Sequence, residues 1–145
     1  MGYNLSYCYL WCVLIIWSGY WTESKFNTFI RNQLRSATRK WGPIQTAKKK
    51  ANVARGVYEC AGCKEHIPPT IRKGRKRVQN IFVDHISPIV DPEVGFQGFD
   101  IYIDRMFCED ENLQVLCGEC HDKKSLQERQ TAVERRKKEK EQLNG

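Results

Sequence analysis

The first 22 residues of this chain contain no charged side chain. That absence excludes the charged n-region of a secretory signal peptide. The apolar centre, from Cys8 to Trp17, is flanked by aromatic residues but is short for a membrane span, which needs about 20 apolar residues. Three interpretations of residues 1–21 stay open: a membrane anchor, a helix packed on the domain, or an extension from a start codon assigned too far upstream. We favour the last, since the sequence from Thr22 onwards is typical of a complete soluble protein.

Acidic residues are also scarce in the first 80 positions, where only Glu23, Glu59 and Glu65 oppose the 15 Lys or Arg of residues 22–80. The balance reverses in residues 81–112, with eight acids and one base, and residues 113–145 hold eight bases and six acids. The net charge of +7 favours an anionic partner, either nucleic acid or an anionic membrane surface. An acidic middle in such a protein suggests metal binding or neutralisation of part of the basic arm.

The seven cysteines are an odd number, which argues against a secreted disulfide scaffold. Four of them form two C-x-x-C pairs: Cys60, Cys63, Cys117 and Cys120. A two-residue gap lets both thiolates of a pair face one tetrahedral ion, so the two pairs predict a structural Zn²⁺ site. Because 53 residues separate the pairs, the ion would clamp the two ends of an inserted module and supply folding energy. Three cysteines would stay free: Cys8, Cys12 and Cys108.

A redox site and a haem site both fit the paired cysteines less well than zinc does. No thioredoxin-like βαβ pattern surrounds either pair, which disfavours a redox site. The segment "CGECH" matches the attachment pattern of c-type haem, but that interpretation requires an exported protein and leaves the first pair without a role. Two unrelated buried pairs, or replacement of one cysteine ligand by His66, are the remaining alternatives.

The basic half predicts an amphipathic helix from Ser24 to Trp41, capped by Ser24 or Thr22 and ended by "WGP". Its apolar positions recur with helical spacing: Phe26, Phe29, Ile30, Leu34, Ala37 and Trp41. Arginines recur every four residues on a separate stripe, at Arg31, Arg35 and Arg39. Most such stripes are simply the solvated face of a helix. Contact with phosphates is the functional interpretation, since no acid interleaves.

The remaining segments can be placed coarsely. The stretch "TAKKKANVARG" is helical or a linker, "RKGRKRVQN" is a basic turn carrying Arg75 and Arg77, and "IFVDHI" is a short strand. A loop and a helical or extended segment follow, and residues 125–144 predict a charged helix. We expect four regions: an uncharged segment (1–21), a basic helical arm (22–56), a central domain (57–126) and a charged helical tail (127–145).

A set of polar residues lies between and just after the cysteine pairs: Asp84 and His85 in "VDHISPI", Asn112 in "ENLQVLC" and His121 in "CGECH". In this order the set resembles the HNH endonuclease family, most of all the small members encoded by tailed bacteriophages. The resemblance covers roughly residues 22–126. It implies an α+β fold built on a ββα-metal (His-Me) finger, clamped by the four-cysteine zinc site, with the basic helical arm before it and the charged helix after it.

The resemblance also implies roles. His85 would be the general base that takes a proton from the attacking water. Asp84 and His121 would bind one divalent cation, Mg²⁺, Mn²⁺ or another, at the scissile phosphate. Asn112 would orient His85, and Lys124, one helical turn beyond His121, would contact phosphate.

The expected activity is hydrolysis of DNA phosphodiester bonds, with Arg31, Arg35, Arg39, Arg75 and Arg77 tracking the backbone. The expected partners are DNA and phage packaging or replication proteins, and the expected location is the cytoplasm of a host cell unless residues 1–21 anchor the chain. The alternative is a zinc-stapled module that binds nucleic acid without cutting it. A membrane-tethered scaffold is a third class.

Overall fold

A computed structural model describes residues 21–144. The hypotheses about the uncharged segment, including free Cys8 and Cys12, fall on residues outside that range, apart from Trp21. The chain divides into two compact units, Met1–Ala37 and Thr38–Gly145. Within residues 21–144, no helix has both the length and the apolar composition that crossing a membrane requires.

In the first unit the main described element is helix α1, Glu23–Thr38, whose last residue falls in the second unit. The helix begins after Thr22, whose Oγ1 accepts a hydrogen bond from the Lys25 backbone N–H at 3.3 Å. The predicted helix is therefore confirmed, with its end three residues earlier than Trp41. Its end follows from local chemistry, because Gly42 and Pro43 start a new helix and Pro is tolerated only in a first turn.

The second unit is a mixture of short helices and small antiparallel sheets, which confirms the α+β class. Its helices are α2 (Gly42–Ala51), α3 (Phe99–Met106), a 3₁₀ turn (Asp110–Asn112) and α4 (Gly118–Leu143). One sheet holds β1 (Asn52–Ala54), β2 (Val57–Glu59) and β3 (His66–Ile67). Two further sheets are two-stranded: β4 (Thr70–Lys73) with β5 (Lys76–Gln79), and β6 (Ile81–His85) with β7 (Leu113–Cys117).

The pairing of β6 with β7 brings together the two segments that carry the motif residues. The strands are antiparallel, with Ile81 opposite Cys117 and His85 opposite Leu113. The Asp84–His85 end of β6 therefore lies beside the start of β7, directly after Asn112. The other end of β6 lies beside Cys117.

The hydrophobic core of this unit lies against the cysteines. Its buried members are Cys60, Ile67, Ile81, Val115, Leu116 and Cys117. Both Val115 and Leu116 are buried although they point to opposite faces of β7, because the strand is covered on both sides. By contrast, α4 has no buried residue, in agreement with the solvated charged helix predicted for residues 125–144. The helix begins earlier than that, at Gly118.

Candidate functional site

The four paired cysteines meet in space. The sulfur atoms of Cys60, Cys63, Cys117 and Cys120 all lie within 4.8 Å of one another. The first pair lies on the turn after β2, Cys117 ends β7, and Cys120 lies in the first turn of α4. Four converging thiols suit a tetrahedral metal ion such as Zn²⁺. The prediction of a four-cysteine group able to hold a metal is confirmed.

Hydrogen bonds prepare one of these thiols to bind a cation. Burial raises the pKa of the Cys60 thiol, but backbone N–H groups, with that of Cys117 foremost, donate to its sulfur, and together they lower the pKa to about 6. The Cys117 N–H to Cys60 Sγ distance is 3.2 Å. Hydrogen bonding to Cys117, followed by burial, raises the pKa of Cys120 to about 12. One thiol thus ionises readily, while crowding by its neighbours keeps another protonated until a cation compensates the charge.

The knuckle formed by Cys60–Cys63 leaves no room for a side chain at Gly62. A Cβ there would lie 2.9 Å from Cys120 Sγ and 3.1 Å from Cys120 Cβ. The close approach explains why the second of the two residues between these cysteines is glycine. Gly118 provides a contrast, since its nearest neighbours would lie 3.8 Å from an added Cβ.

A second polar site lies at the end of β6, where Asp84 and His85 diverge. His85 Nε2 lies 3.1 Å from the backbone carbonyl of Met106, at the end of α3. A carbonyl oxygen only accepts, so Nε2 carries the proton and donates it. In the neutral imidazole, Nδ1 is then the acceptor, with a lone pair available for a proton.

Helix α4 crosses the face of β6 that carries Phe82 and Asp84. The His121 ring stacks on the Phe82 ring, with centroids 4.6 Å apart and planes inclined by 17°. One turn further along α4, Lys124 Nζ lies 2.8 Å from Asp84 Oδ2. Residues two apart on a strand and three apart on a helix share a face. Asp84 and His121 therefore lie on two facing surfaces, and their joint binding of a divalent ion stays a prediction.

Lys124 has an acceptor for each of its three ammonium donors. Besides Asp84, its Nζ donates to the His85 backbone carbonyl at 2.8 Å and to Glu128 Oε1 at 2.6 Å. Burial alone would lower the pKa of Lys124, but hydrogen bonds to Asp84 and Glu128 raise it above its ordinary value. The predicted contact of Lys124 with phosphate stays a prediction. In this structure the ammonium is turned inward, against the carboxylate proposed to bind the cation.

Asn112 contacts the backbone that follows His85 rather than the imidazole. Its Oδ1 accepts from the Ser87 N–H at 3.0 Å, and its backbone carbonyl accepts from the Ile86 N–H at 2.8 Å. Two hydrogen bonds from one residue hold the chain immediately after the histidine. An orienting role for Asn112 would thus act through the backbone.

His121 offers the observation that tests whether a cation fits. Within residues 21–144, its Nδ1 is buried and has no hydrogen-bond partner, and the exposed Asp122 carboxylate lies 3.5 Å away. A buried nitrogen without a partner calls for a ligand. The four cysteines are, in the part of the chain described, the only group of three or more His, Cys, Asp or Glu that could share an ion. Asp84 and His121 do not belong to that group, so their binding of a divalent cation stays a prediction.

The arginines predicted to bind nucleic acid are divided between elements. Arg31 and Arg35 lie on α1, and Arg39 lies in the turn after it. Arg75 and Arg77 lie on the exposed hairpin of β4 and β5. The third histidine, His66, is exposed on β3 and does not belong to the four-cysteine group.

Three supporting contacts have no signal in the sequence, because their partners lie far apart along the chain. Lys50 of α2 forms an ion pair with Asp110, which begins the turn that carries Asn112. The Trp41 indole N–H donates to the Cys108 carbonyl at 2.8 Å, just after α3. The sequence also cannot indicate that the Met106 carbonyl accepts a hydrogen bond from His85, since every residue has a backbone carbonyl. These contacts support the turns around the second polar site.

No model of a protein family, no curated protein and no solved structure matches this chain. The resemblance to HNH endonucleases therefore depends on the motif residues of the sequence alone.

Proposed function

We propose that the chain is a metal-dependent endonuclease of the HNH type that hydrolyses DNA phosphodiester bonds. One arrangement carries the proposal. Antiparallel strands β6 and β7 are followed directly by α4, and Asp84 and His121 lie on the facing surfaces of strand and helix. This order of strand, strand and helix supports the proposal of a ββα-metal finger. The four-cysteine group would hold structural Zn²⁺ at the opposite end of the strand pair.

The reaction would use His85 as the general base. Its Nε2 proton is engaged by the Met106 carbonyl, so Nδ1 can accept the proton of a water that attacks phosphorus. Asp84 and His121 would hold a divalent cation, Mg²⁺ or Mn²⁺, which supplies charge stabilisation at the phosphate and the leaving oxygen. Asn112 would keep His85 in position through the Ile86 and Ser87 backbone. The product of one such site is a nick.

One observation favours the alternative, a zinc-stapled module that binds nucleic acid without cutting it. The Asp84 carboxylate already has a counter-ion in Lys124. A site neutralised in this way needs no divalent cation to be stable. The two functions differ in cleavage: the nuclease requires His85 to cut DNA, whereas the binding module does not cut.

Nicking of supercoiled plasmid by the full chain tests the proposal, with Mg²⁺, Mn²⁺ or chelator added. We expect metal-dependent nicking that His85→Ala abolishes while zinc content and DNA affinity stay near those of the unaltered chain. His66→Ala is the matched control, because His66 is exposed and lies in a different sheet from His85, and it should nick normally. Equal nicking by His85→Ala would refute the base assignment. A folded, zinc-loaded chain that binds DNA but does not cut it with Mg²⁺, Mn²⁺ or chelator would favour the binding module.

A further inference from the structure

Strands β4 and β5 form a hairpin in which cations stand directly opposite cations. Arg72 pairs with Arg77, and Lys73 pairs with Lys76. Like charges in direct cross-strand register destabilise a sheet. No acidic residue occurs in residues 70–79, which we call the basic hairpin. None of its cations takes part in a salt bridge with any residue in the described range 21–144.

The hairpin is built to hold this shape despite the repulsion. Gly74 has a φ of 63° in the two-residue turn, a conformation that favours glycine and suits a tight hairpin. At the base, Ile71 pairs with Val78, and both are partly buried. Asn80 ties the base to the chain before it, since its N–H donates to the Pro69 carbonyl at 2.8 Å. The charged end is therefore a defined projection.

Its cations point to both sides of the ribbon. Side chains alternate along a strand, so Arg72 and Arg77 lie on the face opposite Ile71. Lys73 and Lys76 share the face of Ile71 but lie nearer the tip, where Arg75 occupies the turn. All five cations are exposed. A ribbon that contacts a flat anionic surface needs cations on one face only, whereas a ribbon between two walls of phosphates needs them on both.

We propose that the basic hairpin enters the major groove of duplex DNA and that this duplex is the substrate of the nuclease; the inference rests on the proposed function and narrows it to double-stranded DNA. Paired strands lie about 4.8 Å apart, and the span from Thr70 to Lys73 is about 10 Å. The major groove of B-form DNA is about 12 Å wide and 8.5 Å deep and admits a two-stranded ribbon. The deep, narrow major groove of duplex RNA excludes it, and a single strand has no groove.

The position of the hairpin relative to the candidate site suits this role. Strand β5 ends at Gln79 and β6 begins at Ile81, and the Gln79 amide donates to the Ile81 carbonyl at 2.6 Å. The hairpin thus precedes the same strand whose far end carries His85. Four steps of about 3.3 Å separate Ile81 from His85, a distance of about 13 Å. The base of the hairpin and the proposed general base thus lie at the two ends of one strand.

Protection of exposed strand edges is the competing role for lysines on such a hairpin. A single cation on each strand would serve that purpose. Protection of strand edges therefore does not explain why cations stand directly opposite cations, where they repel each other. Neutralisation by phosphates accounts for this arrangement, because the repulsion disappears when DNA is bound.

The test measures binding without added divalent cation to three fluorescent probes of equal length and sequence: duplex DNA, its single strand, and duplex RNA. The variant carries Arg72→Gln, Lys73→Gln, Lys76→Gln and Arg77→Gln. The control carries Arg136→Gln, Lys137→Gln, Lys138→Gln and Lys140→Gln on α4. Both lower the net charge of +7 by four, so they are matched in charge. Zinc content and melting temperature are measured for each.

We expect the hairpin variant to bind duplex DNA roughly 10- to 100-fold more weakly, with the slope of log K against log salt reduced by about 3 to 4, since each lost phosphate contact removes about 0.9. The control should lose much less. The free hairpin variant should melt at the same or a higher temperature, because its opposed charges are gone. A gain in stability with a loss of affinity distinguishes a binding element from a structural one.

Unchanged duplex affinity in the hairpin variant would overturn the inference, as would an equal loss on all three probes. The proposed function fails differently. Hairpin-dependent binding of duplex DNA without any nicking would reject the nuclease and leave the groove-binding hairpin standing. If the hairpin variant nicks duplex DNA as well as the unaltered chain does, the groove-binding hairpin is rejected and the nuclease is kept.

Discussion

The ammonium of Lys124 lies 2.8 Å from the carboxylate of Asp84, in the position where the proposed divalent cation would bind. The side chains are only 24% and 20% exposed, so water screens the pair weakly. Lys124 and a divalent cation would compete for the same oxygen atoms. In the proposed nuclease, binding of the cation would release Lys124 from Asp84.

Replacement of Lys124 by Met tests this competition. Without metal, Asp84 loses its counter-ion, and the melting temperature should fall, with a cost on the order of 1–3 kcal/mol. With Mn²⁺ present, the variant should regain stability and bind the cation more tightly than the unaltered chain does. Thermal unfolding with and without Mn²⁺ measures both effects. The exposed neighbour substitution Lys123→Met is the control, and an equal response to Mn²⁺ in the two variants would exclude the competition.

Substitutions of Asn112 can separate the role of its side-chain oxygen from the role of its side-chain NH₂ group. Asn112→Ala removes the acceptor of the Ser87 N–H and should cost about 0.5–1.5 kcal/mol in stability. Asn112→Asp keeps an oxygen there and should preserve stability and nicking, if Asn112 acts only by holding the backbone after His85. Chemical denaturation and plasmid nicking of both variants decide the point. If Asn112→Asp is as stable as the unaltered chain but no longer nicks, the side-chain NH₂ group of Asn112 contacts the substrate.

Gly62 provides a steric test of the four-cysteine group. Gly62→Ala places a methyl group 2.9 Å from Cys120 Sγ, and a sulfur bound to metal cannot retreat. We expect weaker zinc binding and a loss of about 1–3 kcal/mol in stability. Gly118→Ala is the control, since its added methyl group meets only ordinary contacts. Competition with a chromogenic chelator measures zinc affinity, and identical affinities in the two variants would contradict the predicted crowding.

Loss of one thiolate ligand tests whether the group binds zinc at all. Cys117→Ser should abolish tight binding and lower the melting temperature sharply, because structural zinc contributes about 10–16 kcal/mol to small domains. Cys108→Ser should have neither effect, since Cys108 lies outside the group. Zinc content by mass spectrometry and thermal unfolding check both. Full zinc content in Cys117→Ser would exclude its role as a ligand.

The zinc affinity should also depend on pH, because each thiol must lose its proton to bind. Affinity should fall as pH falls, and most steeply below the pKa of Cys60, which is lowered to about 6. Below that pH even this thiol is protonated in the metal-free protein, so zinc must displace one more proton. Zinc affinity measured between pH 5 and pH 8 tests the sign. Constant affinity across the range would show that the thiols are not the ligands.

Much of this protein was determined by local sequence. The helix from Glu23, the strand Ile81–His85, the early turn of α4 with His121, and the convergence of the four cysteines all follow from spacing, apolar periodicity and turn residues. These signals act over a few residues, and the C-x-x-C spacing forces its own turn. For the hairpin of β4 and β5 the sequence predicts only a basic turn, because alternation is weak where nearly every residue is charged.

Tertiary structure alone decided which groups meet at the candidate site. The Met106 carbonyl that orients His85 lies 21 residues away, and Lys124 meets Asp84 across 40 positions. Such contacts depend on the register of β6 with β7 and on the angle at which α4 crosses them. A sequence shows which side chains are chemically able to take part in the proposed reaction. The packing of distant segments decides their partners, and these partners fix the tautomer of His85 and the counter-ion of Asp84.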